Sequence, residues 1–258
     1  FFRLISTLIH NFDISKSYKN RKKNVGDFLI SKKGLSRYRT FFSAKHNNLL
    51  NIKKEAMNNF DNEYYTFFPI WGNNVPTIDF NEDIDSFDFP EDGPITEYDT
   101  IKFEFEEIKP KNPDMCDFLS GTEPDGEAFS KKFADIVSSF SPKGNQLLPA
   151  TIYDPKNKKT YNDYFYLHTY NRLECLDREN AEYSTFSSDG RIMAVDKVRF
   201  NAGIMENTPL EERLIFRLGE WDVLRFIHKS IVYKLIEAGV TGIRFVSAAD
   251  YHAGSAFD

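Results

Sequence analysis

Hydrophobic and polar residues alternate most regularly between Tyr98 and Lys109, in the run YDTIKFEFEEIK. On an extended chain, successive side chains point to opposite faces, so Ile101, Phe103 and Phe105 fall on one face and the charged residues between them on the other. Pro110 follows at once and ends the pattern. The sequence therefore predicts a half-buried strand here.

The stretch from Leu148 to Val246 contains the densest set of predicted elements. Two alternating runs predict strands, and the stretch closes with a strand–helix–strand unit. Within that unit, apolar residues recur at i, i+4 spacing, and Gly239 stands where a left-handed residue ends a helix. The predicted segments are the strands Thr151–Tyr153 and Tyr164–Tyr170, the strand Val223–Ile227, the helix Lys229–Ala238 and the strand Gly242–Val246.

Periodicity and turn residues also predict elements in other segments of the chain. An apolar stripe predicts a helix over Ala128–Phe140, and Ser187–Gly190 predicts a hairpin turn between short strands at 183–186 and 192–195. The apolar run Tyr64–Trp71 contains Pro69, which argues against a central strand because proline cannot donate to the ladder. The residues after Ser247 have no periodicity and are expected to form a mobile end.

Together these elements predict an α+β fold that is sheet-rich, with mixed and antiparallel strands and strand–helix–strand units. The 25 Phe and 13 Tyr residues favour sheet, because aromatic side chains fit a pleated, half-buried surface. Three regions are expected: a basic N-terminal segment at 1–60, an acidic sub-region at 61–146, and a core at 147–258 that includes the mobile tail.

This order of features resembles a bacterial family of immunity proteins associated with polymorphic toxins, long catalogued as a domain of unknown function. The resemblance covers about residues 68–246 and is a pattern of apolar positions and turns. The segments that carry it are Asp117-Phe118-Leu119, Phe129-Ser130-x-Lys132-Phe133-Ala134-Asp135-Ile136, Leu148-Pro149, Asn171-x-x-Glu174-Cys175-Leu176-Asp177, Ile215-Phe216-Arg217-Leu218 and Leu235-Ile236-x-Ala238-Gly239-x-x-Gly242-Ile243-x-Phe245.

The resemblance implies a function. We expect a cytoplasmic immunity protein that binds a cognate toxin effector and neutralises it in the producing cell by occluding it. Such a protein is not an enzyme and needs no cofactor. The partner would be the toxin domain itself, with no nucleic acid and no membrane involved.

Charge is unevenly distributed along the chain. The formal net charge is −6, yet residues 1–58 hold thirteen Lys and Arg against three acids, and residues 79–125 hold sixteen acids against three Lys. The basic run could attract nucleic acid, or it could neutralise the acidic segment within the fold. No helix-turn-helix or zinc pattern accompanies it in the sequence, which favours the second interpretation.

The acidic segment is the predicted contact for a basic toxin, because acids steer a positively charged partner and aromatic residues anchor it. The residues predicted to steer are Asp83, Asp85, Asp88, Glu91 and Asp92, and the predicted anchors are Trp71, Phe87 and Phe89. A calcium loop is not predicted here, since Asp83 and Asp85 fit the first two ligand positions but Phe87 occupies the third.

The alternative function is a metal-dependent, nuclease-like hydrolase. Asp99 followed by Glu107 and Lys109 has the order in which two carboxylates hold a divalent metal and a lysine helps activate water. The surrounding acids oppose this interpretation, because they would repel a phosphate backbone. We therefore predict no catalytic and no metal-ligating residues.

Three further features have plain explanations. Asp177, Glu179 and Glu182 form either a small acidic site or, as we expect, a helix N-terminus where acids offset the macrodipole. The five histidines are widely spaced, without a metal-binding grouping. Cys116 and Cys175 are expected to be buried thiols in a reducing compartment.

Overall fold

The computed structural model describes residues 59–72, 74–81, 84, 89–106, 112–121 and 125–257. The predicted basic segment 1–60 lies almost wholly outside these residues, so its predicted role stays a prediction. The described residues belong to a compact unit that spans Glu55–Asp258.

The described residues form two main sheets and a hairpin, and the strand pairs are mostly antiparallel. The strands are β1 Tyr64–Pro69, β2 Ile78–Phe80, β3 Ile101–Phe105, β4 Phe118–Ser120, β5 Glu127–Ser130, β6 Asn145–Asp154, β7 Lys159–Thr169, β8 Arg172–Leu173, β9 Glu182–Thr185, β10 Ile192–Lys197, β11 Ile215–Leu218, β12 Arg225–His228 and β13 Ile243–Ser247. The α-helices are α1 Lys131–Ser138, α2 Ala202–Asn207 and α3 Lys229–Glu237, with short 3-10 turns at Asn59–Asn62 and Leu210–Glu212.

The six-stranded sheet has the order β2-β3-β6-β7-β5-β4, in which β3 and β6 run parallel. It curls so that its two outer strands meet. Gly121, just after β4, lies so close to β2 that a Cβ built on it would stand 1.7 Å from the Ile78 carbonyl oxygen. Aromatic and aliphatic side chains fill the inside of the curl, including Ile101, Phe103 and Tyr166.

The five-stranded sheet has the order β13-β1-β12-β11-β8. One face packs through Ile215 and Ile227 against α1, α3 and the outside of the six-stranded sheet. The other face packs through Phe216 and Phe226 against the β9–β10 hairpin, α2 and the C-terminal turn. Both large sheets combine strands from 61–146 with strands from 147–258, so the two sub-regions named from the sequence are interleaved.

The predicted fold class is confirmed: the protein is sheet-rich α+β with mixed and antiparallel sheets. The strand predicted around Ile101–Phe105 is present with the predicted alternation of buried and exposed residues. The closing strand–helix–strand unit is present, and Gly239 has a φ of 64° after α3. The predicted hairpin turn joins β9 to β10.

The interpretation of Pro69 was wrong. β1 lies between β13 and β12, but it pairs with β12 only at Tyr64 and Tyr65. Pro69 is the last residue of β1 and is matched only with Ile243 of β13. The strand therefore accommodates the proline at an end that has no partner on the β12 side.

The start of α1 also differs from the prediction. Residues 128–130 belong to β5, and Ser130 ends that strand in an extended conformation and caps the helix through the Phe133 N–H at 3.3 Å. Phe129 faces the apolar layer from the strand, and the helix that follows presents Phe133 and Val137 to the same layer. The apolar residues that were predicted to lie on one helix therefore belong partly to β5 and partly to α1.

Three smaller expectations were wrong. The C-terminal segment is packed: Ala248 and Tyr251 are buried against the five-stranded sheet. Asp177 begins a turn, in which its carboxylate accepts the Glu179 N–H at 3.1 Å, instead of a helix. Cys175 is buried as expected, but Cys116 is partly exposed, and both are free thiols.

Candidate functional site

Four of the eight predicted partner-binding residues lie among the described residues. Asp83, Asp85, Phe87 and Asp88 lie outside the described residues. Trp71 follows β1 with 56% of its surface exposed, beside Ile70, which is 51% exposed. Phe89, Glu91 and Asp92 lie together on the loop 89–95, which we call the pinned loop.

The pinned loop is fixed to the six-stranded sheet at its far end. The side-chain amide of Gln146 forms two hydrogen bonds with Ile95, accepting its N–H at 2.9 Å and donating to its carbonyl at 3.0 Å. His168 Nε2 lies 2.9 Å from the Gly93 carbonyl oxygen. These contacts hold the loop backbone in one position without help from a partner.

Phe89 secures the near end of the loop. Its ring centroid lies 5.6–6.2 Å from those of four other rings, in the edge-on and tilted arrangements that aromatic pairs favour. These rings belong to Phe80, Tyr98, Tyr166 and His168. The ring predicted to anchor a partner is therefore half-buried and anchors its own loop.

The acids of the pinned loop point outward. Asp92 is exposed, and the Glu91 side chain is 75% exposed even though it lies 3.3 Å from Arg172 Nη1. The same Arg172 nitrogen lies 3.4 Å from Asp222. Such an exposed, solvent-screened pair contributes little to stability, so Glu91 remains available to a partner.

Behind the pinned loop lies a cleft of about 210 Å³ that is lined by Arg217, whose side chain is 12% exposed, and by Asp125, whose side chain is 40% exposed. Arg217 of β11 reaches across to the six-stranded sheet, where it donates to the Thr169 carbonyl at 3.0 Å and to Asp125 at 2.6 Å. Burial alone would raise the pKa of Asp125, but Arg217 and, more distantly, Arg225 hold it below its usual value. Asp125 is therefore a carboxylate at neutral pH.

A second arginine repeats this arrangement on the neighbouring strand. Arg225 of β12 is opposite Arg217, and its guanidinium donates to the Leu167 carbonyl at 3.1 Å and to Glu127 of β5. It also lies 4.9 Å from the ring centroid of Phe67. We call Asp125, Glu127, Arg217 and Arg225 the charged layer, because they join the two sheets through ionic contacts.

The charged layer was not predicted from the sequence. The two arginines could have indicated it, because each lies in a strand whose other residues are mostly apolar. A charge in such a run is placed on a buried face and requires a partner there. The partners could not be named from the sequence, because Asp125 and Glu127 lie 92 and 98 residues from their arginines and no local pattern joins them.

Of the three residues named for the hydrolase alternative, the structure describes only Asp99. Asp99 is exposed in the bend before β3, and Glu107 and Lys109 lie outside the described residues. Within the part of the chain that the structure describes, no three His, Cys, Asp or Glu side chains are grouped so as to hold a metal ion. Within the same residues, no helix has the length and apolar character needed to cross a membrane.

A scan against models of protein families finds no match, and a search of curated proteins finds no significant match.

Proposed function

We propose that this chain is an immunity protein that binds a cognate bacterial toxin effector and neutralises it in the producing cell by occluding it. The proposal starts from the family resemblance in the sequence. The structural observation that supports it is the pinned loop, which holds Glu91 and Asp92 outward on a backbone already fixed by Gln146, His168 and Phe89.

Preorganisation is what makes this loop suitable for binding. A loop that is already ordered loses little conformational entropy on association, so more of the contact energy appears as affinity. Exposed acids on such a loop accelerate the approach of a basic partner, and the effect weakens as salt screens it. The partner best suited to this surface is a basic toxin domain, covered over an interface of about 1,600 Å² in total.

The first experiment is co-expression of the chain with the toxin domain encoded beside it, followed by size-exclusion chromatography and a growth assay. We expect a co-eluting complex and restored growth. Rescue without a complex would contradict occlusion and favour an enzyme that reverses the toxin's product. If the experiment yields neither restored growth nor a complex, the proposal is overturned.

The second experiment tests the surface. Glu91→Lys with Asp92→Lys should slow association by at least about tenfold at low salt and flatten its salt dependence. The matched control reverses Asp135 and Glu237, two exposed acids on α1 and α3 that lie outside the pinned loop. Equal effects of both pairs would show that only net charge matters and that the loop is not the contact.

A further inference from the structure

The five-stranded sheet has an open edge at β13, which ends its strand order. The Ala248 N–H donates to the Tyr64 carbonyl, and in an antiparallel pair the residues bonded to the neighbouring strand alternate with those that are not. The backbone groups of Arg244 therefore also face β1. Those of Ile243 and Phe245 point away from the sheet, and no strand of the described residues pairs with them.

The other strand edges have features that discourage pairing between molecules, such as short length, charge and breaks in register. β8 has two residues, and the β9–β10 hairpin has two breaks in register and includes Asp196 and Lys197. β2 and β4 close on each other at Gly121. β13 has five residues in unbroken register, with Arg244 as its one charge. Of the described edges, β13 is therefore the best suited to pair with another strand.

An apolar stripe lies beside this edge. It consists of Tyr233 and Ile236 of α3 and Val240 just after the helix, which share one side because they are three and four residues apart. Tyr233 and Ile236 are 55% and 58% exposed. The Tyr233 ring centroid lies 6.3 Å from that of Tyr65 in β1, the neighbour of β13, and Val240 packs against the same apolar layer as Phe245. Exposed apolar surface thus accompanies the open backbone.

We propose that β13 pairs with β13 of a second copy of this chain, so that two five-stranded sheets join into one. In an antiparallel pair centred on Phe245, each Phe245 N–H donates to the carbonyl of the same residue in the other copy, and each Ser247 N–H donates to the carbonyl of Ile243. The twofold axis of this pair is perpendicular to the sheet. Both α3 helices therefore lie on the same face, where their apolar stripes meet.

The charges beside this edge favour a second copy in the antiparallel direction. Arg244 is near the start of β13, and the exposed Asp250 follows its end. An antiparallel copy places Arg244 of one chain at the same end of the pair as Asp250 of the other, which brings opposite charges together. A parallel copy would bring like charges together instead.

The size of the surface sets the expected affinity. A standard interface removes about 800 Å² from each partner, and a covered aromatic side chain removes about 150–250 Å². Because Tyr233 is about half exposed, it contributes roughly 100 Å², and the five-residue edge and Ile236 add to this. The contact is therefore at the low end of specific interfaces, and we expect a dissociation constant of about 1–100 μM. This inference stands apart from the toxin-binding function, because it includes none of the pinned-loop residues.

Sedimentation equilibrium of the full chain tests the assembly. Between about 1 μM and about 200 μM, the mass should rise from one copy to two. Ile236→Lys places a charge in the apolar stripe and should weaken the dimer at least about tenfold. Met193→Lys makes a similar change at a position that is 47% exposed on the β9–β10 hairpin, and it should leave the dissociation constant unchanged. A single-copy mass at every concentration, or equal weakening by both variants, would overturn the proposal.

Amide hydrogen exchange, followed by NMR, tests the position of the contact. It is measured at a concentration where the wild type is paired and Ile236→Lys is not. The Phe245 N–H should exchange at least about tenfold faster in the variant, because it then has no acceptor. The Arg244 N–H faces β1 and is the internal control, which should stay protected in both. Equal exchange of the Phe245 N–H in both proteins would place the contact elsewhere and overturn the proposal.

Discussion

The space between the two sheets is filled in two different ways. Around α1 and α3 it is apolar, with Phe129 stacked between Phe118 and Phe133 at centroid distances of 5.0 and 4.3 Å. Next to it, the charged layer spans the same gap with Arg217 and Arg225. We call these two regions the apolar half and the charged half.

The two halves differ in the free energy that burial contributes and in how strictly their contacts specify positions. Apolar packing is favourable in proportion to the area removed from water and does not specify one arrangement. Buried ion pairs recover little beyond their desolvation cost, but their hydrogen bonds require defined positions. The apolar half therefore supplies stability, while the charged half sets where β11 and β12 stand against β5 and β7.

The largest expected effect is on the apolar half. Phe129→Ala removes a fully buried ring and leaves a cavity between rings that cannot easily close, so we expect a loss of about 4 kcal/mol in the free energy of unfolding. Urea denaturation measures it. Lys131→Ala, which removes an ion pair whose side chains are 62% and 61% exposed, is the control and should cost less than about 0.5 kcal/mol.

A smaller effect is expected in the charged half. It tests whether the two halves stabilise the fold in different ways. Arg225→Met leaves the Glu127 carboxylate without its buried partner and should cost about 3 kcal/mol. Adding Glu127→Leu should restore stability to within about 1 kcal/mol of the wild type, because a matched apolar pair carries no desolvation cost. If the double variant is as unstable as Arg225→Met alone, the charged half stabilises the fold in the same sense as the apolar half.

The smallest expected effect depends on pH and involves His168, which borders the charged half. Burial lowers the pKa of His168, against the opposing effect of the Gly93 carbonyl that it contacts. The unfolded state then binds more protons, so the stabilising contribution is complete above a pH of about 6.5 and is lost as the pH falls through the folded pKa.

Unfolding free energies measured between about pH 8 and pH 5 should therefore decline, and His168→Gln should reduce that decline. Burial also lowers the pKa of His228, so some of the decline should remain in the single variant. Phe129→Ala should shift the whole curve without changing its slope. An unchanged slope in His168→Gln would show that this histidine has the same pKa in both states.

The sequence predicted most strongly where one physical rule acted alone. Strict alternation located β3, and the i, i+4 spacing with Gly239 located α3 and its end. It failed where two elements shared one pattern. Phe129 and Phe133 lie on a strand and on a helix, and Ser130 separates them by a capping bond that an apolar stripe does not reveal.

The candidate site was predictable only in part. The acidic segment was recognised as a surface, and Glu91 and Asp92 are exposed on it. Phe89 was grouped with the anchors for a partner because an aromatic residue among acids looks the same whether its ring faces out or in. Only the positions of Tyr166 and His168, nearly eighty residues away, show where the ring packs.

By itself, the sequence determined the fold class, the positions of β3 and of the closing strand–helix–strand unit, and the charge of the surface segment, because these depend on residues close together in the chain. The tertiary structure alone decided which acid meets Arg217 and which meets Arg225, and where β1 parts from β12. Both depend on strand register between distant segments. Register is set by the packing of whole sheets, which no local pattern contains.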